Sequence, residues 1–329
     1  MAVDRRGRLT GSQDDVVALR DLLAGAPTNW GRWGPDDEVG ALNFLTADEV
    51  RAGAALVRRG AVFPLAQPVA TSQGDPVLPG RTPPQRFAVV DRSHFETGKR
   101  DRLPGGLEWV DDYLTTYLQF GTHCDALGHM WFDDALWNGF PARSTVGAMS
   151  RASIAPIGAR GVAGRAVLID IARYRGVASL SRDDGIDLEE LLAAADAQGV
   201  QISPHTILVI RTGWMGRLVS RAEPILDGFR EPGLRYSPGL VSWFHRTEIP
   251  CLVTDSLGNE CTVDRGTGVM YPLHAALMRN LGVLFTEAAW LEHLAEDCAA
   301  DGHYEFFYVA APIPVIGGSG APVNPVAIK

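Results

Sequence analysis

The chain has 329 residues, 46% of them hydrophobic, enough to build one large core or two ordinary ones. A formal charge of −9 without any extended Lys/Arg cluster argues against a nucleic-acid or membrane-surface partner and leaves a small molecule as the expected one. No apolar run approaches the about 18 residues of a membrane span, and no apolar segment follows the basic start to form a signal peptide. The expected location is therefore cytoplasmic.

In chain order, residues 1–60 read as an N-terminal extension. Asn29 to Leu42 carry Trp30, Trp33, Pro35 and glycines, the composition of an irregular aromatic covering loop. Thr46-Ala47-Asp48-Glu49 then opens a helix with a capping box, and Gly60 marks its end. Residues 61–329 read as one domain. Its first half has short β-like runs, 61–69 and 86–90, between Pro/Gly-rich turns. Further on, apolar runs at 166–171, 206–210, 250–253, 283–285 and 305–315 have the length and composition of buried strands. Helical stretches at 188–198 and 269–281 alternate with them, which predicts an α/β fold with a β-rich first half. The four cysteines show no C-x-x-C spacing and read as buried thiols.

Chemistry concentrates between Gln119 and His129. An extended chain would send Gln119, His123, Asp125 and His129 to one face and Cys124 to the other, whereas a helix would split the four. Imidazole nitrogen with carboxylate oxygen is a donor mix that suits zinc or manganese, so the segment reads as half of a metal site for one or two divalent ions. The other half is expected from PLHAALMRNLG, a helix with Pro272 in its first turn and Gly282 at its end. The strand VLFTE follows at once and could return Glu287 toward His274. Of these groups, His129 is the candidate proton carrier. Trp131, Phe132 and Trp137 could wall an apolar pocket, with ordinary packing as the alternative. Arg211 and Asp255, polar residues just past apolar strands, are candidate substrate contacts or each other's structural partner.

GTHCDALGH resembles the H-x-G-T-H-x-D-x-x-x-H signature of the cyclase-like metal hydrolases, the family of bacterial kynurenine formamidase and isatin hydrolase. IRTGW at 210–214, the strand with Asp255, LHAALMRNLGVLFTE and GGSGAPVNPVAI resemble further family blocks in the same order. The resemblance implies a swivelling β/β/α fold with a mixed sheet, a homodimer or tetramer, and hydrolysis of a small lactone, cyclic amide or formamide by metal-activated water. It makes His123 and Asp125 ligands of a first site, His274 and Glu287 those of a second, and His129 the proton shuttle. Gln119 stands where the formamidases have a histidine, a pattern more similar to the trans-dienelactone hydrolases. Its carboxamide could ligate the metal or hydrogen-bond a substrate. Two other functions stay open: a metal-dependent lyase or cyclodehydratase, and a non-catalytic small-molecule-binding protein.

Overall fold

In the computed structural model, residues 17–71, 75–221 and 229–329 are described in full and residues 2–3 and 9–10 as backbone; the rest of the basic start lies outside the described residues. Nine strands make one sheet: β1 Val62–Pro64, β2 His123–Asp125, β3 Val162–Asp170, β4 Ile207–Arg211, β5 Cys251–Thr254, β6 Leu284–Glu287, β7 Glu305–Ala310, β8 Gly320–Pro322 and β9 Val326–Ile328. Their spatial order is β8-β2-β6-β5-β4-β3-β7-β9-β1. The central β3, β4, β5 and β6 run parallel, and both flanks pair antiparallel. This is the mixed α/β architecture that the alternating strand and helix pattern predicts.

Every residue of β4, β5 and β6 is buried. Parallel strands covered on both faces have no solvent side, which is why the sequence shows them as unbroken apolar runs. By contrast, β7 alternates between buried and half-buried positions. It ends at Ala310, short of the expected 315, and Pro312 and Pro314 beyond it cannot donate to a ladder. The capping box forms as expected: Glu49 accepts from the Thr46 backbone at 3.0 Å, and Thr46 Oγ1 accepts from Asp48 N at 3.2 Å. That helix, Ala47–Ala54, stops before Gly60. The sequence reading passed over the helix Pro238–Thr247, although Ser237 caps it and Pro238 occupies its first turn.

The aromatic loop is anchored to the far end of the helix that carries His274. Trp30 Nε1 donates to the Arg279 carbonyl at 2.8 Å and Asn29 Nδ2 to that of Leu281 at 2.9 Å. A separate antiparallel hairpin, Gln85–Val90 with Asp111–Thr115, stands off the main sheet, and Phe87 and Tyr113 stack on its exposed surface at 5.1 Å. No helix among the described residues is long and apolar enough to cross a membrane.

Candidate metal centre

The site is built where β2 inserts between β6 and β8. Antiparallel pairing sets His123 opposite Glu287, and strand alternation puts Asp125 on the same face as His123. His123 Nε2 lies 3.3 Å from Glu287 Oε2 and 3.6 Å from Asp125 Oδ1. Ligand atoms of these three buried residues all fall within 4.8 Å of one another. Cys124 points to the opposite face, where its thiol meets Thr286 Oγ1 at 3.3 Å and burial pushes its pKa up to about 12. The shared face extends over 123 and 125 only. Gly121 adopts a left-handed φ of 57°, and a turn closed by His129 N donating to the Ala126 carbonyl follows the strand. That turn, not extended chain, returns His129 Nε2 to 3.9 Å from Asp125 Oδ1.

His274 completes the cluster from a π-helical turn, His274–Arg279, within the expected helix. The strand after Gly282 carries Glu287 back, as the sequence predicts, and His274 Nε2 stands 3.4 Å from Glu287 Oε1 and 3.9 Å from Asp125 Oδ2. Hydrogen bonding fixes both ligand tautomers. His123 Nδ1 donates to the Gly121 carbonyl at 2.8 Å and His274 Nδ1 to Glu260 at 2.7 Å, so the proton that each ring gives up on binding a cation is the one at Nε2, which faces the cluster. His123 Nε2 and both Asp125 oxygens are buried without a hydrogen-bond partner. Imidazole nitrogens and carboxylate oxygens left unpaired in a shared focus fit a divalent cation.

The protonation pattern agrees with a centre that attracts positive charge. Burial opposes a proton on His274, yet bonds to Glu260 and Glu287 outweigh it and raise the pKa to about 10. Burial would raise the pKa of Glu287, but His123 and His274 hold it down to about 2. His123 moves up in the same way, with Glu287 and Asp125 overcoming burial. His129 moves down: burial dominates, and the positive charges of His274 and Arg81 add to it.

Gln119 is held by Ser319 and lies beside His129. Its carboxamide nitrogen donates to Ser319 Oγ at 2.8 Å and lies 3.4 Å from His129 Nδ1. Three sequence candidates for substrate contact have structural duties. Trp137 is fully buried and donates from Nε1 to the Asp37 carbonyl at 3.0 Å, which pins the N-terminal block. Arg211 pairs with Asp170 at 2.9 Å and Glu292 at 2.6 Å. Asp255 accepts from Thr212 N, Thr212 Oγ1 and Gly213 N at 2.8, 2.7 and 2.7 Å. In the structure these three side chains are occupied by packing and hydrogen bonding, the structural alternative that the sequence left open. Trp131 is 45% exposed, and Phe132 packs under the Arg279 guanidinium at 4.0 Å.

Sequence reasoning missed the residues that hold the ligands. Glu260 accepts from Leu273 N and His274 N at 2.7 and 2.8 Å besides the His274 ring, and Asn259 Nδ2 donates to Glu287 Oε1 at 3.3 Å. Glu231 is buried close by, accepts from Leu257 N at 2.7 Å, and is pushed well above the usual carboxylate range by burial. A shallow cleft lined by Pro76, Leu78, Arg81, Gln119, Phe120, His123 and neighbours reaches the cluster at His123.

The chain belongs to the Cyclase family, whose model matches residues 61–260. A crystal structure described as a novel cyclase is 34% identical, with a TM-score of 0.81 over 92% of this chain and 99% of that one. The isatin hydrolase A of Ralstonia solanacearum shares the fold at 22% identity, with a TM-score of 0.60 over 85% of this chain and 95% of the other. That of Labrenzia aggregata does so at 18%, with a TM-score of 0.55 over 83% and 94%. No curated protein matches the sequence.

Proposed function

We propose that the protein is a metal-dependent hydrolase that opens a small lactone, cyclic amide or formamide. One observation carries the reading: His123 Nε2 and both Asp125 oxygens are buried without partners and face Glu287 and His274 beside an open cleft. A buried polar atom left unpaired costs about 1–3 kcal/mol, so three in one focus imply a ligand that repays them. His123, Asp125, Glu287 and His274 would hold one divalent ion, zinc or manganese by donor type. Bound there, the ion supplies a Lewis acid that acidifies water toward neutral pH and polarises the scissile carbonyl.

The chain's own residues do the rest. Burial lowers the His129 pKa and so favours the neutral ring, which can take a proton at Nε2 from attacking water and pass it to the leaving group. Gln119 orients that ring. A carboxamide can donate to Nδ1 or, turned over, accept from it, and the Ser319 hydroxyl can satisfy either pose. The apolar wall of Pro76, Val77, Leu78, Phe120 and Leu257 excludes water from a ring-shaped substrate.

The test is elemental analysis of protein purified without added metal, then a panel of lactones, cyclic imides and N-formyl compounds with product masses. Stoichiometric zinc or manganese and products one water heavier are expected. Metal-free protein whose turnover survives a strong chelator would sink the reading.

A further inference from the structure

Arg81 is the cation of the cleft, and its surroundings differ from those of five other arginines that pack against the fold. Arg211, Arg165 and Arg175 each meet a carboxylate. Arg160 and Arg279 lack one among the described residues, but each is used up on two or more oxygen acceptors. Arg81 has one protein acceptor among the described residues, the Gln119 carbonyl, and rests 6.0 Å from the Tyr117 ring centroid. Its guanidinium carries five N–H donors, so most of the fork is left for something else.

The backbone presents that fork in a fixed place. Leu78-Pro79-Gly80-Arg81 is a turn closed by Arg81 N donating to the Leu78 carbonyl at 3.1 Å, with Gly80 at φ 88°. Proline at the second position and a positive-φ glycine at the third are the signature of a type II turn, whose backbone the proline ring and the glycine both favour. The Gln119 carbonyl and the Tyr117 face then hold the guanidinium on the cleft wall shared with His123. A half-buried cation in a chain of net charge −9, without a carboxylate of its own and facing a ligand cleft, is matched to an anion.

We propose that Arg81 binds a carboxylate carried by the substrate, so that the cleft selects anionic lactones or cyclic amides in which an apolar ring separates the carboxylate from the scissile carbonyl. This rests on the hydrolase reading for the scissile group but not for the carboxylate. The planar fork pairs with a carboxylate in two parallel hydrogen bonds, a geometry that a neutral amide cannot reproduce.

The experiment compares phthalide carboxylate with its neutral primary carboxamide on manganese-loaded protein, by calorimetric binding and by turnover, in wild type, Arg81→Gln and Arg81→Lys. Wild type is expected to bind the carboxylate at least roughly 10-fold more tightly, as one charged hydrogen-bonded pair implies. Arg81→Gln should erase that gap: any loss of kcat transmitted through Gln119 and His129 falls on both compounds alike, whereas the binding advantage of the carboxylate over the carboxamide disappears, with metal content and melting temperature in place. Arg81→Lys should keep part of it. Equal binding of the two compounds by wild type, or a gap that survives Arg81→Gln, overturns the proposal. Arg81-dependent binding without hydrolysis would remove the hydrolase reading and leave the anion site standing; hydrolysis without Arg81 dependence would do the reverse.

Discussion

Two buried polar clusters sit at the ends of the parallel strands, and they were built to opposite rules. Around Arg211 and Asp255 the accounts close. Arg211 spends its donors on Asp170, Glu292 and the Ala178 carbonyl, and each Asp255 oxygen receives hydrogen bonds from Thr212 or Gly213. Around His123 and Asp125 they do not close, and the atoms left over converge. A buried carboxylate at or just past the end of an apolar parallel strand is common to both places, Asp255 after β5 and Glu287 closing β6. Satisfaction of the polar atoms tells a brace from a binding site, and it is visible only once the chain has folded.

The largest effect that would sharpen this contrast is Asp125→Asn, which replaces the unpaired carboxylate with a weak neutral ligand. We expect loss of bound metal by elemental analysis and a fall in kcat/KM of roughly 1000-fold or more, with the fold retained. Asp255→Ala should do the converse. Stripping the acceptor from Thr212 and Gly213 is expected to cost about 3 kcal/mol in denaturant unfolding, with metal content per folded molecule unchanged. If Asp125→Asn unfolds the protein, or Asp255→Ala empties the site, the division between brace and binding site is wrong. Glu260→Gln probes the boundary between them, since it keeps one acceptor oxygen for the helix start, turns the other into an NH2 donor and removes the charge behind His274. A drop in metal affinity of roughly 10- to 100-fold by competition titration is expected, as for other partners of metal-binding imidazoles.

The smallest effect concerns a third cluster near the surface. His205 bridges Glu49 at 2.8 Å and Glu248 at 2.9 Å and stacks on Phe44 at 5.3 Å, tying the N-terminal helix to the end of Pro238–Thr247. Burial works against its proton, but the two carboxylates win and raise its pKa. Its stabilising contribution is therefore full below the unfolded value of about 6.5 and is lost as pH rises through the raised folded value. The free energy of unfolding measured across that window should decline with rising pH in wild type and flatten in His205→Gln.

Much of the centre could be read from the chain because its ligands obey local geometry. Strand alternation pairs His123 with Asp125, and a helix followed at once by a strand must return Glu287 to the level of His274. The π-helical turn and the reversal that recovers His129 depend on tertiary packing, so parity alone overextends the shared face to Gln119 and His129. Glu260 lies 14 residues before His274 in irregular chain, where no period announces it. Asn259 is equally silent, held in a left-handed φ of 59° that brings its side chain to Glu287. Arg81 had a signal in the Pro-Gly turn that carries it, but nothing in the sequence says that the turn faces a cleft. Trp137 illustrates the opposite error: an aromatic residue beside a ligand motif suggests a pocket wall, yet a tryptophan's area is most often spent on the core.

Glu260 grips the start of a helix and the first side chain of that helix with the same carboxylate. Forming the helix and aiming the imidazole are thus one event rather than two. The rotamer freedom of His274 is surrendered during folding, before any ion arrives, and an incoming cation meets a donor already pointed at it. Affinity gained in this way comes from entropy already spent rather than from an added bond.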